Sequence, residues 1–211
     1  SELAETIGAN ILGPDERRWA TRADTELANL RTALFGSLRR GDGGTAVRIY
    51  TGLHGLAYHR LRADIAAWAT NALADLEPLE VPGIAVVFAS AALEAAQRDD
   101  LSAANAWCRR GREVASCDEE LIELMIVECD IAGYEGRFED SVRLAEDTAR
   151  LAREASRPAD VAVVSCNLAL SRSYAGDHAG AEDALAEMRR LVETLDSATL
   201  WAWMHYAEGE V

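Results

Sequence analysis

The chain has 211 residues, of which 49% are apolar, enough for a large core in one domain or two small ones. Its 36 acidic and 21 basic residues give a formal charge of −15, which opposes direct binding to nucleic acid or to an anionic membrane surface. All the basic residues are arginine, so chemistry that needs a P-loop, Schiff-base or kinase-type lysine is excluded from this chain.

Four prolines are present, and Pro14, Pro78 and Pro82 stand where helices would begin or end. In chain order, the apolar periodicity and turn residues predict ten helices, near 15–40, 44–59, 62–77, 82–98, 101–116, 118–135, 137–155, 158–175, 178–195 and 197–211. In the first of these, Leu27, Leu30 and Leu34 form an apolar stripe, and a small or polar flank of Thr25, Asn29, Ala33 and Gly36 runs beside it. The run "GIAVVFASAAL" has the apolarity of a buried strand but continues without a turn into "EAAQRDD", which makes it helix. The acidic starts Asp99-Asp100 and Asp118-Glu119-Glu120 suit helix N-termini, where carboxylates meet free amides and the positive dipole end.

Junctions anchored on Arg60, Asp99, Gly136 and Gly176 recur at intervals of 39, 37 and 40 residues, the period of a two-helix repeat. Five positions beyond each anchor stand Ile65, Ala104, Ser141 and Ala181; eight beyond stand Trp68, Trp107, Leu144 and Ala184. These positions are where a second helix must nest against the first. "GD" at Gly176-Asp177 supplies a left-handed glycine and a capping aspartate, and "RGDGG" at Arg40–Gly44 has the same chemistry outside the period. The expected fold is all-α: a right-handed solenoid of antiparallel helix pairs of about ten helices. Residues 1–43 lead in, and pairs at 44–77, 82–116, 118–155 and 158–195 are followed by a partial repeat at 197–211.

Little in the sequence points to catalysis. Cys108, Cys117, Cys129 and Cys166 contain no C-x-x-C and read as free buried thiols, and the closest histidines, His54 and His59, do not share a helix face. H-E-x-x-H, G-x-S-x-G, a calcium loop and a P-loop are all missing, so neither enzyme activity, metal nor cofactor is expected. A terpenoid-synthase reading would need a second aspartate cluster beside Asp99-Asp100. No signal peptide or span is visible, and the expected location is the cytoplasm. What remains is surface: the first helix of each pair would line a groove for a protein or peptide. Its candidate residues are His54, Tyr58, Glu94, Gln97, Glu128, Asn167, Arg172 and Tyr174. The net charge favours a basic or apolar ligand over an acidic one.

"ELANLRTAL", then "RGDGGTAVRIYTGLHGLAYHR", "IAAWATNAL" and "VPGIAVVFASAALEAAQRDDLSAANAWCRRGREVA", resemble the tetratricopeptide-like helical region downstream of the nucleotide-binding module in bacterial STAND-type ATPases. Those regulators include LuxR-like and SARP-like transcription factors and proteins with a class III adenylate cyclase domain. E-x-x-N-L-R-x-A-L is met at Glu26, Asn29, Leu30, Arg31, Ala33 and Leu34, and W-x-x-x-A-L at Trp68, Ala72 and Leu73. The resemblance implies an interaction and effector-sensing module of a transcriptional or signalling regulator, with Glu26, Asn29, Arg31, Ala33 and Gly36 at a junction with the upstream domain. A stand-alone peptide-binding sensor or assembly scaffold is the alternative. The start at Ser1 and an aromatic last helix with Trp201, Trp203 and Tyr206 partly uncovered lead to the expectation of a piece cut within a repeat.

Overall fold

The computed structural model describes residues 1–211. It is all-α, of the helical-repeat class, with eleven helices: α1 (Glu2–Asn10), α2 (Glu16–Arg39), α3 (Gly43–His59), α4 (Ala63–Leu76), α5 (Ile84–Gln97), α6 (Leu101–Val114), α7 (Asp118–Tyr134), α8 (Phe138–Glu154), α9 (Pro158–Tyr174), α10 (His178–Leu195) and α11 (Ala198–Glu210). A 3-10 turn, Glu77–Leu79, follows α4. The residues form two compact units, 1–11 with 15–124 and 12–14 with 125–211, the boundary falling within α7.

One turn geometry recurs along the chain. Gly41, Leu61, Asp99, Gly136, Ser156 and Gly176 have φ between +52° and +86°. The amide of the residue after each donates back to the carbonyl five positions earlier, in pairs from Asp42 to Ser37 through Asp177 to Arg172, at 2.8–3.1 Å. This closes one helix with a left-handed residue and starts the next immediately. Asp42, Asp100 and Asp177 complete it as N-caps, accepting from the amides of Thr45, Ala103 and Gly180 at 3.0 Å. Asp99, read from sequence as a helix-start carboxylate, instead occupies the left-handed position.

The turn also corrects the repeat register. Its left-handed residue in the first junction is Leu61, not the anchor Arg60, so the counterpart of Ala104, Ser141 and Ala181 is Ala66 rather than Ile65. Each of these four amides donates to the carbonyl of the residue following its left-handed turn, at 3.0 Å. All four side chains are small and essentially inaccessible, which lets the second helix approach the first closely. The same shift makes Ala69, not Trp68, the counterpart of Trp107.

In the first unit α3 touches α1, α2, α4 and α5, and α5 touches α4 and α6. Leu30, Leu34 and Leu38 bury the apolar side of α2, whereas Leu27 is only half-buried. Residues 1–43 hold two helices where one was expected. Their extra member, α1, buries Ala4 and Ile7 and crosses α3 at a backbone contact: a Cβ on Gly52 would lie within 2.3 Å of the Ala4 carbonyl oxygen, and one on Gly8 within 2.8 Å of the Gly52 oxygen. Only glycine permits that crossing.

In the second unit α9 touches α8, α10 and α11. Ser141 Oγ donates to the Cys129 carbonyl at 2.9 Å and meets Ser171 Oγ at 2.8 Å, joining α8 to α7 and α9 in the core. First helices also meet along the repeat. Asn167 Nδ2 donates to Asp130 Oδ1 at 2.9 Å, and Cys166 Sγ contacts the Trp203 carbonyl at 3.7 Å, both pairs 37 residues apart. That separation is the repeat length made visible as contact.

Candidate functional site

Two groups of candidate residues lie within the first unit. On α3, His54 is only 4% exposed. Its Nδ1 meets Ser90 Oγ of α5 at 2.5 Å and its Nε2 lies 3.4 Å from Glu123 Oε2 of α7. Beside it, the buried Tyr50 hydroxyl donates towards the Ile65 and Ala66 carbonyls at 3.2 and 3.4 Å. Burial pushes that phenol's pKa upward, with a nearby Glu94 charge adding to the shift and Ser90 opposing it. His54 is therefore a buried polar tie between three helices. One helical turn on, the Tyr58 ring stacks against His54 with centroids 6.3 Å apart, and it meets the ring of its neighbour His59 edge-on at 4.8 Å. Burial holds the His59 imidazole down to about 4, against the opposing pull of Glu123 and reinforced by His54. Glu94 accepts from Thr70 Oγ1 at 3.3 Å and pairs with Arg98 at 3.1 Å, while Gln97 is exposed at the end of α5.

The second group is the outward side of α2. Asn29, Arg31 and Ala33 are exposed, and Glu26 is half-buried. Glu26 takes a hydrogen bond from Asn29 Nδ2 at 2.8 Å and an ion pair from Arg22 at 3.0 Å. The Arg31 guanidinium stands over Phe35 at 5.9 Å. Gly36 is buried, beneath the side chains of Arg39 and Arg40. Thr21, Thr25 and Thr32 each turn their hydroxyl back to the carbonyl four residues earlier, at 2.8–2.9 Å. The face thus offers methyl groups, Ala28 and Ala33 more than free donors.

Within the second unit, Glu128 and Asn167 are half-buried on first helices. Arg172 Nη2 binds Glu146 at 2.7 Å and its Nη1 donates to the Gly180 carbonyl at 3.0 Å, fastening α9 to α8 and to the start of α10. Tyr174 is exposed; its hydroxyl donates to Glu210 Oε2 at 2.7 Å and its ring lies 5.3 Å from Phe138. The hydrogen bond to Glu210 is the main cause that pushes this phenol up to about 12.

The partners that define these groups are not marked by any motif in the sequence. Ser90 and Glu123 were hidden because helix periodicity places them among core and acidic residues without showing which neighbour they face. Asp130 and Glu210 were recoverable in principle, lying 37 residues before Asn167 and 36 after Tyr174, close to the repeat length. Glu120, expected simply at a helix start, is buried, and its Oε1 accepts from the Gly83 amide at 3.0 Å and from Ser116 Oγ at 2.7 Å. Of the four free cysteines, Cys117 is exposed rather than buried. No helix is long and apolar enough to cross a membrane.

The fold defines an all-α helical-repeat protein in which His54, Asn167 and Tyr174 bind residues of other first helices, while Glu94 and Arg172 bind second helices. No family model, curated protein or solved structure matches the chain.

Proposed function

We propose that the chain is a non-enzymatic, cytoplasmic protein-interaction and effector-sensing module of a larger bacterial regulator of the STAND ATPase type. The observation that carries this reading is the division of α2. Leu30, Leu34 and Leu38 are committed to the first unit, while Asn29, Arg31 and Ala33 of the same helix face outward. Three of the six residues that bear the E-x-x-N-L-R-x-A-L resemblance to the regulators, Asn29, Arg31 and Ala33, are thus open to a neighbour. On this reading that neighbour is the upstream nucleotide-binding domain, and a partner or effector held by the repeats alters its activity.

The test adds this chain in trans to the polypeptide encoded immediately upstream in its open reading frame and follows ATP hydrolysis. A change in turnover that saturates with added chain supports the proposal. An open reading frame without a nucleotide-binding domain, or turnover indifferent to the chain, refutes it and favours a stand-alone peptide sensor.

A further inference from the structure

Six large apolar side chains are exposed, and three of them, Leu61, Leu79 and Val114, stand singly at a turn or an element end in the first unit. Tyr134, Tyr174 and Tyr206, at 65%, 49% and 50% exposure, all belong to first helices of the second unit. Trp203 meets Tyr206 edge-on, with ring centroids 6.1 Å apart. Tyr206 lies within electrostatic reach of both other phenols. Tyr134 and Tyr174 occupy equivalent places, each two residues before a left-handed glycine, so the repeat itself aligns them.

Carboxylates edge these rings. Glu210 accepts from the Tyr174 hydroxyl, and Asp130 is close enough to Tyr134 to raise its phenol further after desolvation, the larger cause, has pushed it towards about 12. The nearest arginines on the same turns are already engaged: Arg172 with Glu146, and Arg137 with Glu135 and Asp140. Residues 125–211 hold 17 acidic against 8 basic side chains, a formal charge of −9. Electron-rich ring faces beside carboxylates attract guanidinium and ammonium groups through cation–π and charge interactions together. Neither feature suits an acidic or a purely aliphatic ligand.

We propose that Tyr134, Tyr174, Trp203 and Tyr206, with Asp130 and Glu210, form a docking surface for an arginine- or lysine-bearing segment of a partner protein. The proposal rests on the reading of the chain as an interaction module, but its test involves no nucleotide hydrolysis, so the two fail separately.

A fluorescein-labelled peptide of alternating arginine and alanine is titrated with the 211-residue chain, and anisotropy is followed; a glutamate–alanine peptide is the control. Tyr134→Ala/Tyr206→Ala should bind the basic peptide about tenfold more weakly, whereas Tyr134→Phe/Tyr206→Phe, which keeps both ring faces, should bind within about twofold of the parent chain. Glu182→Gln/Asp183→Asn, neutralising exposed carboxylates on α10, should leave binding unchanged. Matched circular dichroism and melting temperature show that each variant is folded. Equal affinity in the double alanine variant, equal loss in the α10 variant, binding of the acidic peptide, or no binding at all overturns the proposal. So does concentration-dependent self-association that the alanine pair abolishes, which would make a second copy of the chain the occupant.

Discussion

Gly52→Ala sets two local effects against each other, and the geometry decides between them. Alanine in a helix interior is favoured over glycine by about 1 kcal/mol, so propensity alone predicts a more stable protein. The new methyl, however, would sit 2.3 Å from the Ala4 carbonyl oxygen, 2.4 Å from its carbon and 2.7 Å from the Glu5 nitrogen. All three are backbone atoms, and α1 must move away as a body. Ala4 and Ile7 are fully buried and Ile11 nearly so; exposing two isoleucines and an alanine forfeits about 4 kcal/mol of apolar burial before relaxation. Part is recovered as α1 regains chain entropy and part through the better helix propensity of α3. The expected net loss is about 2 kcal/mol in urea unfolding, with amide exchange protection falling across residues 2–10 and little changed in α5 and α6. A stabilised variant with α1 still protected would refute the close crossing of α1 and α3.

Other substitutions and a pH scan probe the rest of the fold. Leu61→Gly should stabilise the chain by about 1 kcal/mol, because it removes a side chain from a left-handed residue, while Arg60→Gly should destabilise it by a similar amount; urea midpoints that reverse this order would restore the register anchored on Arg60. Ala104→Leu and Ala181→Leu each insert bulk at an inaccessible nesting position and should cost about 1–3 kcal/mol in thermal or urea unfolding. Ser90→Ala deprives His54 of a buried partner and should cost about 1–3 kcal/mol, so an unchanged unfolding midpoint would contradict the tie. His59 is held down to about 4 in the folded chain against an unfolded value near 6.5. The unfolded state therefore binds the extra proton, and this contribution is present in full above about pH 6.5 and lost as pH falls towards 4. His59→Gln should flatten that window of the stability profile.

Helix content was legible because turn residues and apolar periodicity agree over most of the chain. "RGDGG" and "AGDHAG" identified their capped turns from glycine and aspartate alone. Leu61 and Ser156 adopt the same left-handed geometry without turn-favouring glycine. The first repeat was consequently read one residue out of register, which placed Ile65 and Trp68 where Ala66 and Ala69 belong. Helix α1 was overlooked because nine residues carry few apolar positions, and its docking depends on Gly8 and Gly52, whose significance lies in contact rather than pattern. Candidate surface residues were harder to place for a similar reason. Helical spacing puts His54 and Tyr174 on first helices but does not distinguish a buried tie to Ser90 from an exposed ring beside Glu210.

On the proposed reading, the outward flank of α2 faces an upstream domain. Asn29→Leu touches only an exposed side chain hydrogen-bonded to Glu26, so it should shift stability of the 211-residue chain by less than about 0.5 kcal/mol. The decisive measurement is effector-dependent ATP turnover by the full open-reading-frame product carrying this substitution. Turnover should no longer follow the wild-type response although the repeats remain folded. A wild-type response in the variant, or a stability loss in the isolated chain large enough to explain the defect, would contradict the assignment of Asn29 to a domain junction.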